Sequence, residues 1–430
     1  MSLTAIRSNL TAQTLIAGIL GYLLSVFFAS PEWLEAGQMP VMYQVVVAIK
    51  VVFLSALTML VAPMVFFSII NGVLQLKEPS QLGTLGRYTL GYYLLTTSIA
   101  IAIGLVAVFF VHPWEAFEVQ LQAASALEEQ ITYQQPGKLI NHGDDSFVTI
   151  LQQMMKRALS NPFASLASNN VLGIVCFAFL SGIALVVTAK NDSPIIQLVA
   201  DINAMIFKML SWILAFLPLA VFSIVFDFQL RMSGDIIGVL LSFMAVVIGA
   251  TLLHGLVILP LIAKFAGGVG YRQLFSATAK PLMLAVTSSS SAATLPASMQ
   301  ASKEGLHVDP SIGSFVLPLG ATVNMDGTAL FEGIAAIFLA YLFGIELSSI
   351  HIVVIFLMAM VSSIGAPGMP TGSMSGMQIV LLAVGIPLEG IGILLVVERP
   401  LDMLRTGVNV LGDLVGSRVV QQQLTEEIVY

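Results

Sequence analysis

Long apolar runs fill most of this sequence and leave little room for anything but membrane-spanning helices. They lie at 10–28, 43–75, 86–112, 163–189, 194–227, 234–265, 309–343 and 386–417. About 20 consecutive apolar residues cross the hydrocarbon of a bilayer as a helix. Several of these runs are longer, which implies tilt or ends that leave the hydrocarbon. Composition agrees: 57% of residues are hydrophobic and 10% are charged, against about 25% charged in a soluble domain. The expected class is an all-α polytopic membrane protein in contact with lipid, not a soluble enzyme or a nucleic-acid binder. The one cysteine, Cys176, excludes an intrachain disulfide, and the five histidines show no metal-binding spacing. Arg7 precedes a charge-free run that ends at Glu32. Because more spans follow, a retained first helix is expected there rather than a cleaved signal peptide.

Two further apolar segments do not read as simple spans. One, at about 273–303, contains Thr287-Ser288-Ser289-Ser290-Ser291 and ends its small-residue stretch at Thr294-Leu295-Pro296. The other, at about 348–382, contains Ser362-Ser363-Ile364-Gly365-Ala366-Pro367-Gly368. Small, hydroxylated and helix-breaking residues interrupt both in the middle, so each is expected to be a re-entrant helical hairpin. Non-helical backbone at membrane depth survives only where protein, water or ligand satisfies it. Interrupted segments in corresponding places of two halves point to a transporter's binding site. Here hairpin and span occur twice, as 273–303 with 309–343 and as 348–382 with 386–417, the pattern of an inverted repeat. With the N-terminus inside, nine basic residues, Arg7 and Lys77 among them, face the cytoplasm; four, including Lys138 and Arg231, face outward. This fits the positive-inside rule and makes the two hairpins enter from opposite sides. The acidic stretch at 113–160 reads as an exposed polar loop.

The last apolar run carries a stripe of Glu398, Asp402, Arg405, Asn409 and Asp413. Spacings of four, three, four and four put these on one helix face. Charged groups in a membrane segment face the protein interior or a wet cavity and mark function. Arg405 presents a planar fork of donors that fits a carboxylate. It forms either a structural pair with Asp402 or half of a site for an amphoteric ligand, with Asp402 taking an ammonium and the serine-rich tip a second carboxylate. In the run 309–343, Gly320-Ala321-Thr322-Val323-Asn324-Met325-Asp326-Gly327-Thr328 places an amide and a carboxylate between glycines that can free carbonyl oxygens. Oxygen donors of these kinds suit a dehydrated hard cation, with Asn409 and Asp413 completing the cage. An interhelical polar clamp is the other reading. Tyr93, Thr96 and Thr97 share a face in the run 86–112, although threonines in membrane helices often bond their own backbone.

These motifs together resemble the glutamate/aspartate transporter family, the dicarboxylate/amino acid:cation symporters. The resemblance covers nearly the whole chain. It rests on Tyr92-Tyr93-Leu94-Leu95-Thr96, Ser160-Asn161-Pro162-Phe163, the serine-rich hairpin, Asn324-Met325-Asp326-Gly327-Thr328, the Ser363-Ile364-Gly365 hairpin, and the Asp402, Arg405, Thr406, Asn409, Val410, Gly412 and Asp413 pattern. It implies eight transmembrane helices and two re-entrant hairpins, assembled as a homotrimer. A scaffold would comprise 8–77 and 161–228. A transport domain of 84–112 and 229–420 would move against it as an elevator.

The resemblance also implies roles for particular residues. Arg405 would read a substrate side-chain carboxylate, and Asp402 its α-amino group. Ser290, Ser291, Thr328, Gly368, Thr406 and Asn409 would be further substrate contacts. One sodium site would use Gly320, Asn324, Asn409 and Asp413. A second would use Thr322 with carbonyls of Ser363, Ile364 and Ala366, and a third Tyr93, Thr96, Thr97, Asn324 and Asp326. Glu332 matches a glutamate linked to proton and potassium coupling in mammalian members, and a buried carboxyl favours its neutral form. Three departures stand out. Ser289 replaces the arginine of archaeal members, Pro367 and Thr371 occupy places that are usually small, and Glu398 replaces the more usual aspartate.

The expected function is sodium-coupled import of L-aspartate or L-glutamate, with proton coupling open, in a cell membrane and, from the compact chain ends, a bacterial inner membrane. The alternatives are a dicarboxylate or neutral amino acid symporter and, more distantly, a channel. An intramembrane hydrolase is not expected, because no histidine lies inside the motif-bearing spans to act as a base.

Overall fold

A computed structural model describes residues 10–34, 39–74, 83–112, 120–121, 152, 155–190, 193–233, 236–365, 373–388 and 390–429. The chain opens with α1 (Leu10–Phe28), α2 (Val41–Leu74) and α3 (Thr84–Phe110). A short α4 (Pro162–Ala167) leads to α5 (Val171–Thr188), α6 (Pro194–Leu214) and α7 (Leu217–Arg231). Next, α8 (Ile236–Leu253) passes through a π turn at His254–Ile258 into α9 (Leu259–Phe265). The rest is α10 (Tyr271–Ser288), α11 (Ser291–Glu304), α12 (Pro310–Val323), α13 (Asp326–Leu342), α14 (Ser349–Gly365), α15 (Ser373–Val384) and α16 (Gly390–Val429). Gln120–Leu121 and Met232–Ser233 form a two-residue antiparallel pair, so part of the polar stretch 113–160 is tied to the end of α7.

By length and composition, five stretches among the described residues can cross a membrane: Val41–Leu74, Thr84–Phe110, Pro194–Leu214, Ile237–Phe265 and Pro310–Leu342. Ala12–Phe28, Leu172–Thr188 and Ser349–Ile364 are shorter apolar helices. Phe27, Phe110 and Val187 are each more than 70% exposed, an outer surface suited to lipid rather than water.

Local chemistry sets the breaks. Ser289 takes a left-handed backbone (φ 51°) and ends α10. Ser290 is extended, and its hydroxyl accepts from Ala293 N to start α11. The chain thus reverses within two residues, and α10 and α11 pack on each other as the expected hairpin. α14 and α15 pack in the same way. The tip between them, with Ala366, Pro367, Gly368 and Thr371, lies outside the described residues.

Several runs read as single spans are in fact divided. The run 163–189 is α4 and α5, separated around Asn169 (φ 52°). Asn161 caps α4 by accepting from Phe163 N and Ala164 N, with Pro162 in the first turn. The run 194–227 divides at Ala215–Phe216, with Pro218, which lacks a backbone donor, in the first turn of α7. The run 309–343 divides at Asn324 and Met325, neither of which has helical dihedrals.

Two packing groups share the interior. In one, α1 lies on α7, and α2 lies on α5, α6 and α7. In the other, α3 packs on α13 and α16, and α10, α11, α12 and α13 all pack on α16. Contacts of α7 with α16, and of α2 with α14 and α15, join the groups. The first group holds a buried ion cluster that the sequence reading did not find. Lys50 Nζ is 2.6 Å from Asp227 Oδ2, and Tyr43 donates to Asp227 Oδ1 at 2.6 Å. Arg231, counted above as an outward-facing charge, is buried with its Nε 3.3 Å from the same carboxylate.

Candidate substrate and cation site

α16 carries the predicted stripe, and all five members are buried: Glu398, Asp402, Arg405, Asn409 and Asp413. The opposite face is buried too, through Leu401, Val410 and Leu411, because α16 is central to its packing group. The stripe therefore faces protein on every side and divides into two clusters.

The first is centred on Arg405, whose side chain is fully buried. Its Nη2 donates to Glu398 Oε1 at 2.7 Å, to Ser373 Oγ on α15 at 3.0 Å and to Asp402 Oδ1 at 3.2 Å. Its Cζ lies 3.9 Å from the centre of the Phe331 ring on α13, a cation–π contact. Nε and Nη1 have no hydrogen-bond partner among the described residues. Thr406 donates to Asp402 O of its own helix at 2.7 Å. Asn409 accepts from Gly327 N at 2.7 Å and donates to Thr328 Oγ1 at 3.2 Å, which fixes the start of α13 against α16. Glu332 on α13 is fully buried and accepts from Ser362 on α14 at 2.8 Å. Any side chain at position 376 on α15 would overlap both Ser362 Oγ and Glu332 Oε1, so Gly376 lets both arms of the second hairpin close over this carboxyl.

The second cluster is centred on the break between α12 and α13. Asn324 Nδ2 donates to Asp413 Oδ1 at 3.0 Å. Thr97 donates to Asp326 Oδ1 at 2.8 Å, and Thr96 Oγ1 is 3.4 Å from Asn324 Oδ1. Tyr93 donates to Val316 O at 2.6 Å. Gly320 lies so close that a side chain there would overlap the Asp413 carboxylate and press on the Tyr93 hydroxyl. Two carboxylates, an amide, hydroxyls and freed backbone make a hard, oxygen-rich donor set that fits an alkali cation. Asp326 and Asp413 pair with no lysine or arginine among the described residues.

The structure thus brings Arg405, Asp402, Thr328, Thr406 and Asn409 into one region and Tyr93, Thr96, Thr97, Gly320, Asn324, Asp326 and Asp413 into another. Thr322 donates to Leu319 O within α12, and Ser363 to Met360 O within α14, while α12 and α14 pack together. Ile364 lies one residue before Gly365, the last described residue of that arm, and Ala366 and Gly368 lie outside the described residues. Ser290 and Ser291 belong to the first hairpin's tip, where Ser290 O accepts from Thr294 Oγ1 at 2.8 Å.

Sequence reading missed His254. It is fully buried, and its Nε2 is 3.1 Å from Asp326 Oδ2, from a position 72 residues earlier in the chain. The available signal was an ionisable residue inside an apolar run, followed closely by Gly255 and Pro260.

Residues 10–423 match the model of the sodium:dicarboxylate symporter family. The chain belongs to that family. Its members named here are transporters. The chain is 29% identical to an excitatory amino acid transporter of Caenorhabditis elegans, over 96% of this chain and 88% of the relative. It is 30% identical to the human excitatory amino acid transporter 5, over 96% and 82%. It is 34% identical to the neutral amino acid transporter B(0) of Oryctolagus cuniculus, over 86% and 72%. Family membership and the apolar helices make it a multi-pass membrane transporter, with sodium as the family's coupling ion.

Proposed function

We propose that this sodium:dicarboxylate symporter imports acidic amino acids, L-aspartate or L-glutamate. The observation that carries the reading is Arg405. A fully buried guanidinium whose Nε and Nη1 lack acceptors among the described residues is an anion receptor, since a buried charged donor without a partner is costly. Asp402, 3.2 Å away, supplies the complementary charge for an α-ammonium. A neutral amino acid would leave Arg405 without its carboxylate, and a plain dicarboxylate would leave Asp402 without its ammonium. The similarity to the neutral amino acid transporter B(0) makes a neutral substrate the alternative reading.

In this reading the Gly320 backbone, Asn324, Asn409 and Asp413 take up one sodium ion, and Tyr93, Thr96, Thr97, Asn324 and Asp326 take up another. Thr322 with the Ser363, Ile364 and Ala366 carbonyls forms another cation site. Sodium promotes substrate binding because it favours the state in which the second hairpin is closed over substrate. By linkage, sodium raises substrate affinity by the same factor as substrate raises sodium's. Helices of 8–77 and 161–228 serve as scaffold of a homotrimer, while 84–112 and 229–420 move as an elevator. The packing of α1 on α7 and of α2 on α5, α6 and α7 supports that scaffold. Glu332 is the candidate for an added proton. The relatives named above are eukaryotic and lend no support to a bacterial inner membrane.

The test is uptake of labelled L-aspartate into proteoliposomes. Uptake that needs an inward sodium gradient supports the proposal. Uptake driven by an inward proton gradient alone means that the buried acids carry protons. Saturable uptake of serine or succinate in preference to aspartate overturns the substrate.

A further inference from the structure

The π turn at His254–Ile258 is the one break in the helix from Ile236 to Phe265. Such turns are rare and are found mostly at functional sites. Leu259 N–H bonds to His254 O, which widens the turn by one residue. The turn sits hard against α16: a Cβ on Gly255 would come within 2.8 Å of Val408 Cγ2, one residue before Asn409. It delivers His254 to Asp326, where Nε2 is 3.1 Å from Oδ2, while Thr97 holds Oδ1 at 2.8 Å. His254 is fully buried, and its Nδ1 has no partner among the described residues.

The geometry selects a tautomer. With the hydrogen on Nδ1, a buried donor would be orphaned and the Nε2 lone pair would face a carboxylate oxygen. With the hydrogen on Nε2, the imidazole donates to Asp326, and only an acceptor goes unused. The second arrangement avoids both penalties.

We propose that His254 is a positioning residue for the cation site. As an Nε2–H donor it clamps one oxygen of Asp326, while Thr97 clamps the other. The carboxylate is thereby fixed in orientation at the start of α13, next to the break at Asn324 and Met325. His254 itself does not bind the cation, because its facing nitrogen carries a hydrogen. This rests on the sodium reading of Asp326 given above. Groups that hold and orient a metal ligand from behind change metal affinity by about 10-fold to 100-fold when lost.

The test is sodium binding to purified protein in lipid nanodiscs without substrate, read as sodium-dependent protection against thermal unfolding and as bound radioactive sodium. Two variants are compared with wild type. His254→Gln keeps an N–H donor at about the same reach, and His254→Met keeps bulk without a donor. The expected result is a half-saturating sodium concentration raised about 10-fold or more in His254→Met. His254→Gln should stay within a few-fold of wild type, and aspartate affinity at saturating sodium should be preserved in both. Should His254→Met fail to fold, His254→Asn replaces it, because its amide is too short to reach Oδ2. Unchanged sodium affinity in the donor-less variant, or equal loss in His254→Gln, overturns the role of His254 alone. Absence of sodium binding in wild type overturns the cation reading itself.

Discussion

The two ends of the polar stripe on α16 handle charge in opposite ways. Around Arg405 the helix carries its own cation, held by Glu398 and Asp402 and backed by the Phe331 ring. Around Asp413 it carries none. There two carboxylates are met by a threonine, an asparagine and a histidine. Burying a charge in a membrane protein requires a partner. In the proposed reading, one end offers a receptor for an anionic group and the other takes its positive charge from solution. The proposed symport of acidic amino acids with sodium would need that division of labour, and both groups lie along one helix.

The comparison can be broken most severely at Arg405. Arg405→Ala should lower aspartate affinity about 100-fold or more at saturating sodium, since truncating one partner of a buried charge pair costs about 2–5 kcal/mol and each 1.4 kcal/mol is about tenfold. Binding measured by calorimetry decides it, and retained affinity removes the receptor role. Next in size is Asp413→Asn, which keeps the shape and removes a charge at the other end. It should raise half-saturating sodium about 10-fold or more, judged from losses at metal-orienting groups, and should alter aspartate binding only through the linked sodium. Equal damage to both ligands at saturating sodium would merge the two ends into one site.

Glu332 sharpens the comparison. Glu332→Gln keeps an acceptor for Ser362 and removes the titrating group. If this carboxyl moves a proton, the pH dependence of uptake should flatten in the variant, and an unchanged profile ends that idea. The smallest effect is expected at Asp309, which caps α12, the helix that ends at the cation cluster. Bonds from Ser311 N and Oγ hold its exposed carboxyl below the usual aspartate range. A lowered value adds stability above the unfolded aspartate value of about 3.9, and that stability is lost as pH falls through the lowered value. Asp309→Ala should therefore slightly lower the unfolding temperature at neutral pH, by an amount that shrinks in acid. A constant difference across pH would mean that the carboxylate's charge has no part in the cap.

Periodicity made much of this readable in advance. The stripe from Glu398 to Asp413 follows from helical spacing alone. The first hairpin follows from serines placed where a membrane helix would want leucines. What escaped were contacts made across the fold. His254 and Asp326 meet only after two helices pack, and Lys50 meets Asp227 in the same way. The helix breaks inside the runs 163–189, 194–227 and 309–343 escaped for a different reason. Hydropathy averages over a window, whereas one asparagine with a positive φ, one proline or one pair with non-helical dihedrals such as Asn324-Met325 ends a helix locally.

Glu398 and Asp413 stand fifteen residues apart on a single helix, α16, a span of about 22 Å at 1.5 Å per residue. A rod of that kind does not shorten. Filling one station cannot tug the other nearer, so communication between them has to pass through what wraps the rod: the two hairpins, the broken helix and the π turn. If the proposed sites are right, passenger and ions are berthed on a common keel at a set distance, and whatever motion carries one across must carry the other.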